Sequence, residues 1–222
     1  MNTLYHLPFS ANSRLVRIAL SEKQIDVKLI VEPVWERRTS FLSLNPEGQV
    51  PVFLTGQNIS LSGASVIIEW LEDISSEHSL IGNDINFRAE ARRIMLWFNN
   101  KFSLEVESSI VYEKIMKVFM GKGNPDANIL RVGRKNLITH MQYINWLSKN
   151  RDWLAGNSYS IADISAAANL SILDYLGEIT WREYSFAKEW YARVKSRPSF
   201  RSVLLDKIPG LLPPKYYSDL DF

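Results

Sequence analysis

The spacing of hydrophobic residues changes along the chain and predicts two kinds of structure. In residues 1–80, short apolar and β-branched runs alternate with stretches at helical spacing. The runs predict four strands, namely Thr3–His6, Val27–Val31, Val52–Leu54 and Ile59–Leu61. Because Val27–Val31 is apolar and β-branched, we expect it to be a buried strand. The order β-α-β, then a hairpin, then a helix predicts a small mixed sheet with helices packed on it.

Two helices are predicted among these strands. The first carries apolar residues from Leu15 to Ala19 at helical spacing, and Asn12 or Ser13 could cap its start. The second presents one apolar face over residues 66–74. An apolar face of this kind packs against a sheet, so both helices are expected to cover it.

The rest of the chain is predicted to be helical. The polar stretch 75–84 has no hydrophobic period, so we place a boundary there between two domains, residues 1–76 and 87–222. Apolar spacing in the second domain predicts helices within residues 87–118, 129–150, 158–176 and 183–196. The predicted fold class is therefore α/β plus all-α. Residues 209–222 follow the last helix as a tail of apolar and acidic residues.

Composition and charge exclude several classes of protein. The chain is 46% hydrophobic and 23% charged, which is typical of a globular protein and excludes a disordered one. Its 26 basic and 24 acidic residues give a net charge of +2 without a concentrated basic run, so a nucleic-acid binder is not expected. The chain has no cysteine, which excludes disulfides, thiolate catalysis and cysteine-based metal sites.

Targeting and metal signals are also weak. The first ten residues, MNTLYHLPFS, lack the basic and apolar segments of a signal peptide. No apolar run reaches the roughly 18 residues that a membrane-spanning helix needs. We therefore expect a cytoplasmic protein without a membrane span. His6, His78 and His140 are scattered along the sequence, so no metal site is expected.

Three local motifs carry the chemistry that the sequence can offer. Val50-Pro51 follows a turn and precedes a strand, and a cis proline here would leave the backbone N–H and C=O of Val50 free to pair with an extended peptide. Residues 62–73 form a loop that enters a helix, whose free N-terminal N–H groups suit a carboxylate. Ser160 and Asp163 form a capping box at a helix start.

In this order and spacing the motifs resemble the glutathione S-transferase superfamily over essentially the whole chain. The resemblance implies a thioredoxin-like N-terminal lobe, an all-helical C-terminal lobe and a homodimer. It further implies that Val50 and Pro51 would hold the cysteinyl part of glutathione. The loop "SANSRLVRIAL" is similar to the serine-type loop of the family, which implies that the Ser10 hydroxyl would stabilise the glutathione thiolate.

The sequence departs from the family where active members grip the γ-glutamyl end of glutathione. Those members carry Glu-Ser or Gln-Ser before the motif that is Ile67–Leu71 here, and the aligned residues are Gly63 and Ala64. Hydrogen bonds to a charged group contribute about 1.5–3 kcal/mol each, so losing two weakens binding by about two or more orders of magnitude. Ser65 could compensate in part, although on a helix it points about 100° away. We therefore expect glutathione to be a weak ligand or substrate, if it binds.

The tail carries a second resemblance. The ending "PP…YxDLDF" and the segment Pro33–Arg38 are similar to an alphaproteobacterial subgroup of transferase-like proteins that bind the division protein FtsZ. Trp35, Arg37 and Arg38 have the composition of an interface hot spot. These residues and part of the tail are the predicted partner contacts, the tail residues being Tyr216, Tyr217, Asp219, Leu220, Asp221 and Phe222.

Three functions stay open from the sequence. The preferred hypothesis is an FtsZ-binding cell-division adaptor with weak or no glutathione conjugation. The alternatives are an active transferase that joins glutathione to hydrophobic electrophiles, and a small-molecule binder in the cleft between the lobes. Each predicted residue also has a structural explanation: Ser10 could cap the first helix, Trp35 could pack on the sheet, and the tail could fold back over the helical lobe.

Overall fold

A four-stranded mixed sheet forms the centre of the first lobe. Its strands are β1 (Thr3–His6), β2 (Lys28–Val31), β3 (Val52–Leu54) and β4 (Ser60–Ser62), in the order β2-β1-β3-β4. β2 runs parallel to β1, whereas the pairs β1–β3 and β3–β4 are antiparallel. The computed structural model describes residues 1–75 and 77–220. Within them the sheet confirms the predicted mixed β-α-β and hairpin arrangement.

The prediction that the second strand is buried is wrong. β2 lies at the edge of the sheet, and among the described residues it pairs with β1 alone. Its side chains Leu29 and Val31 are 42% and 55% exposed. An apolar, β-branched run is typical of strands in general, and it does not distinguish a central strand from an edge strand.

Helices flank the sheet of the first lobe. They are α1 (Ala11–Glu22), the single turn α2 (Thr39–Leu42) and α3 (Ala64–Ile74). α1 begins at Ser10, whose hydroxyl accepts a hydrogen bond from the N–H of Ser13 at 3.2 Å. The prediction that Asn12 or Ser13 caps this helix is therefore wrong. Ser13 is inside the helix, and its hydroxyl accepts from the N–H of Leu7 instead.

The second lobe is all helical, as predicted. Its helical segments are α4 (Ile85–Leu96), a π-helical continuation (Trp97–Met116), α5 (Lys117–Phe119), α6 (Ala127–Asn150), α7 (Ile161–Tyr175), α8 (Ser185–Lys195) and α9 (Arg201–Leu204). The first three follow one another without a break and form the long helix expected over residues 87–118. Every residue of α7 is buried, so this helix is the centre of the lobe. Together with the sheet these helices confirm the α/β plus all-α fold class.

The predicted capping box starts α7. The Ser160 hydroxyl accepts from the N–H of Ala162, and one Asp163 carboxylate oxygen accepts from the N–H of Ser160 at 2.9 Å. The other Asp163 oxygen accepts from the N–H of Leu154 and from the indole N–H of Trp190, at 2.9 and 2.8 Å. Asp163 therefore holds the start of α7, the preceding loop and α8 together.

Charged side chains of α1 join the two lobes. Arg14, which is fully buried, donates to the carbonyl of Pro8 at 2.6 Å and to the hydroxyl of Ser171 in α7 at 2.7 Å. Arg17 donates to both carboxylate oxygens of Asp206 at 2.9 and 2.7 Å. α1 and α7 also pack directly against each other. The junction is thus a continuous core with ion pairs at its margin.

The tail folds back over this junction. The hydroxyl of Tyr175 donates to the carbonyl of Leu211 at 2.9 Å, and the ammonium of Lys195 donates to the carbonyl of Asp219 at 2.7 Å. Tyr217 is 1% exposed and its hydroxyl lies 3.4 Å from a guanidinium nitrogen of Arg14. The sequence left open whether the tail folds back over the helical lobe or meets a partner. Over residues 209–220 the structure shows it folded back.

Candidate functional site

A cleft of about 270 Å³ opens between the two lobes. The first lobe contributes the β1–α1 loop and the segment before β3, and the second contributes one face of the long helix. The lining residues include Leu7, Phe9, Ser10, Gln49 and Val50 from the first lobe and Ser103, Glu107, Val111, Tyr112 and Met116 from the second. The structure therefore brings two of the predicted glutathione-site residues, Ser10 and Val50, to one cavity.

Ser10 caps a helix and also lines the cleft. Its hydroxyl oxygen caps α1 by accepting from the N–H of Ser13, which confirms the structural explanation of this residue. The side chain is partly exposed and lines the cleft. A hydroxyl that accepts one hydrogen bond still has its proton to donate. The predicted contact with a thiolate is compatible with this geometry and stays a prediction.

Val50 presents a free backbone to the cleft. Its peptide bond to Pro51 is cis, as the motif suggested. Among the described residues, no hydrogen bond involves the N–H or C=O of Val50. Pro51 is buried and holds the adjoining segment, because its carbonyl accepts from the N–H of Gly63 at 3.0 Å. Val50 can therefore pair with an extended amide, whereas Pro51 does not line the cleft.

The start of α3 offers backbone groups but few side chains. Gly63 precedes the helix with φ +89° and caps it without a side chain. The N–H groups of Ala64, Ser65 and Val66 have no hydrogen-bond partner in the described part of the chain. Residues that carry a side chain rarely adopt a backbone φ of +89°. A glutamate or glutamine at position 63 would therefore strain the backbone. Ser65 is partly exposed in the first turn and does not line the cleft.

Glu107 is the ionisable group that sequence reasoning missed. It is partly buried on the π-helical segment and lines the cleft with Ser10 and Val50. Burial raises the pKa of its carboxyl, and a hydrogen bond from Ser103 opposes that shift. None of the described residues lining the cleft is Lys, Arg or His. In the sequence, Glu107 is marked by nothing except its place next to Val106, a core position. That place does not reveal which surface the Glu107 side chain faces.

Trp35 belongs to an aromatic stack that joins the lobes. It lies in a short turn, Val34–Glu36, and its ring stacks on Phe119 of α5 with centroids 5.4 Å apart. Phe9 stacks on the same Phe119 ring at 5.3 Å and lies 6.4 Å from Trp35. The residue therefore packs across the lobe boundary, against Phe9 and Phe119, and it stays half-buried.

The two arginines beside Trp35 differ in their surroundings. Arg37 is exposed and adopts a left-handed backbone with φ +47°. Arg38 forms an ion pair with the buried carboxylate of Glu32, and its Nε donates to that carboxylate at 3.0 Å. This hydrogen bond raises the pKa of the Arg38 guanidinium. Arg38 therefore has an ion-pair partner, whereas Arg37 is exposed and its guanidinium lies beside Gly48.

The predicted tail contacts separate into buried and accessible residues. Tyr217 is buried and Tyr216 is partly buried, whereas Asp219 and Leu220 are exposed. Asp221 and Phe222 lie outside the described residues. Arg14 links the tail to the Trp35 turn, because it contacts the hydroxyl of Tyr217 and the carbonyl of Pro8, next to Phe9. The structure therefore connects the two predicted partner segments through the β1–α1 loop.

None of the described helices has an apolar stretch long enough to span a membrane. Nor do residues 1–75 and 77–220 bring three or more His, Asp or Glu side chains together at a metal-binding spacing.

Two family models match the chain. Residues 4–79 match the glutathione S-transferase N-terminal domain, and residues 112–198 match the glutathione S-transferase C-terminal domain. FtsZ-localized protein A of Caulobacter vibrioides is 43% identical, with 99% of this chain and 98% of that protein covered. Glutathione S-transferase TCHQD of Arabidopsis thaliana is 30% identical, with 90% of this chain and 88% of that protein covered.

Solved structures agree with these sequence matches. A glutathione S-transferase from Rhodospirillum rubrum is 45% identical and superposes with a TM-score of 0.97, with all of both chains covered. FzlA from C. crescentus is 43% identical with a TM-score of 0.96, covering 100% of this chain and 99% of that one. With both lobes, the interlobe cleft and the capping box in place, the chain belongs to the glutathione S-transferase family.

Proposed function

We propose that this protein is a cell-division adaptor that binds FtsZ through a glutathione S-transferase scaffold and conjugates glutathione weakly or not at all. The observation that carries the proposal is the 43% identity to FtsZ-localized protein A over 99% of this chain. At that coverage the aligned region spans the Trp35 turn and nearly all of the tail. The site supports the proposal as well, because Gly63 and Ala64 provide no polar side chain for the charged end of glutathione.

The accessible partner surface combines aromatic, basic and acidic groups. Trp35 is half-buried in a rigid stack and Arg37 is exposed beside it, while Asp219 and Leu220 are the exposed residues of the tail. Tryptophan and arginine held in a fixed setting are the residues that most often dominate binding energy at interfaces. We therefore place the FtsZ contact at the Trp35 turn, with the exposed end of the tail as its second part.

The proposed adaptor acts as a homodimer in the cytoplasm. A dimer presents the Trp35 turn and the tail twice. Two linked contacts raise the effective concentration of the second binding event, so one dimer could bridge neighbouring FtsZ filaments.

Replacing Trp35 tests the proposed contact. In co-sedimentation with polymerised FtsZ, Trp35→Ala is expected to weaken association by about 30-fold or more, because hot-spot truncations cost about 2 kcal/mol or more. Trp146→Ala is the matched control, since this residue is 56% exposed on α6, away from the turn, and should leave association unchanged. Circular dichroism checks that both variants fold. Failure of the wild-type chain to pellet with filaments at micromolar concentration would refute the adaptor proposal.

The alternative function, an active glutathione transferase, is favoured by one feature of the site. Ser10 lines the same cleft as the free backbone groups of Val50, which is the pair needed to hold and activate the thiol of glutathione. The adaptor is preferred because the lining has a carboxyl group and, among the described residues, no cationic one. Glutathione carries a net negative charge at neutral pH, and its thiolate would add another.

Calorimetry with glutathione separates the two functions. We expect a dissociation constant of about 1 mM or weaker, because two hydrogen bonds to the charged end are missing and the cleft is not cationic. Ser10→Ala is expected to leave any background conjugation of an aryl halide unchanged. A dissociation constant in the range of about 10–100 μM, together with conjugation lost in Ser10→Ala, would establish the transferase instead.

A further inference from the structure

We propose that the interlobe cleft binds a small peptide-like molecule of net positive charge, and that Glu107 is the residue that selects its protonated amine. The inference concerns a ligand of the cleft and does not depend on FtsZ binding.

Glu107 differs from the other buried or partly buried glutamates of the cleft region. Glu32 pairs with Arg38, and Glu113 pairs with Lys117 at 2.7 Å. Glu107 has a hydrogen bond from the hydroxyl of Ser103, and no salt bridge joins it to a basic residue of the described chain. A carboxylate withdrawn from water is stabilised by a cation at close range. The described lining of the cleft supplies no cation, so a bound molecule would have to bring it.

The remaining lining of the cleft has the chemistry of a peptide site. Val50 offers one N–H and one C=O without partners, which match an amide of an extended chain. Leu7, Phe9 and Val111 provide an apolar wall. The volume of about 270 Å³ lies just below the usual range for drug-sized ligands, so it suits a molecule of one or two residues.

Net charge distinguishes this ligand from glutathione, in which two carboxylates outnumber one ammonium group. The lining contains Glu107 and, in residues 1–75 and 77–220, no Lys, Arg or His. At the low effective dielectric of a cleft, unit charges a few ångströms apart interact by several kcal/mol, so a negative ligand is disfavoured and a positive one is favoured. The same carboxyl group that opposes a thiolate would therefore bind an ammonium group.

A pair of probes tests the inference. N-acetyl-lysine methylamide carries amides and an ammonium group, and N-acetyl-norleucine methylamide has the same amides without the charge. In NMR titrations, the wild-type protein is expected to bind the lysine probe about tenfold more tightly than the norleucine probe. Glu107→Gln keeps the shape of the side chain and should reduce that ratio to about one. Glu47→Gln should leave the ratio unchanged, since Glu47 is exposed in the turn before Val50 and does not line the cleft.

Equal affinity of the wild-type protein for the two probes would overturn the inference, as would a tenfold preference that survives in Glu107→Gln. Both titrations are performed without FtsZ, and neither of those results would alter the co-sedimentation expected of the adaptor.

Discussion

Asp163→Ala is expected to reduce the free energy of unfolding by about 4 kcal/mol, because it leaves several buried donors without an acceptor. The carboxylate is fully buried and accepts hydrogen bonds from the N–H groups of Leu154 and Ser160 and from the indole of Trp190. Each unsatisfied buried donor costs about 1–3 kcal/mol. For a chain of this length the loss corresponds to a fall in melting temperature of roughly 10 °C, measured by calorimetry.

Asp163→Asn is the matched control for that prediction. Its amide oxygen can still accept from Leu154 and Trp190, whereas its amide nitrogen meets the N–H of Ser160, so an intermediate loss of stability is expected.

Burial raises the pKa of the Asp163 carboxyl to about 6. The folded state then binds the proton more tightly than the unfolded state. The contribution of Asp163 to the free energy of unfolding therefore falls as the pH rises from about 4 to about 6. The difference in the free energy of unfolding between the wild-type protein and Asp163→Asn should therefore be larger at pH 5 than at pH 7. A loss below about 1 kcal/mol in Asp163→Ala would contradict the structural role.

Arg14→Ala is expected to have a comparable effect on stability and to release the tail. The guanidinium is fully buried and contacts Pro8, Ser171 and Tyr217, and its Nε lies 3.5 Å from Asp206. Removing one partner of a buried ion pair costs about 3–5 kcal/mol, since the other partner keeps its desolvation cost. Chemical denaturation measures the stability. Limited proteolysis should cut residues 209–220 faster than in the wild-type protein, because Tyr217 loses a contact.

An exposed arginine provides the control for Arg14. Arg134 pairs with Glu178 at 2.7 Å, but its side chain is 51% exposed. Glu178 is buried but keeps its second ion pair with Lys114, and an exposed partner contributes about 0–1 kcal/mol, so Arg134→Ala should change stability little and leave the tail protected. Arg14→Lys should recover only part of the loss, since an ammonium group lacks the fork that reaches several acceptors. Equal destabilisation by Arg14→Ala and Arg134→Ala would show that the junction does not depend on Arg14.

Local sequence patterns predicted the parts of this protein that depend on neighbouring residues. Helical spacing located the long helix from Ile85 and the buried α7, and the pair Ser160 and Asp163 identified a helix start. These features need only residues within a few positions of one another, where period and capping chemistry are informative. The resemblance to a family then supplied Ser10 and Val50, which do meet in one cleft.

The features that were missed depend on contacts between distant segments. The exposure of Val31 follows from the strand order, which places β2 at the edge, and no property of the strand itself reveals it. Glu107 became part of the site because the long helix packs against the β1–α1 loop, about a hundred positions away in sequence. Phe119 meets Trp35 and Phe9 for the same reason. Side chains of this kind are recognised only when the lobes are docked.

The contact between Arg14 and Tyr217 has a consequence for biosynthesis. The two residues are 203 positions apart in the sequence, so during synthesis they can meet only after the ribosome has made the segment between them. A nascent chain that has not yet reached Tyr217 lacks this contact, so the tail can dock on the lobe junction only after the segments that form the junction have been made.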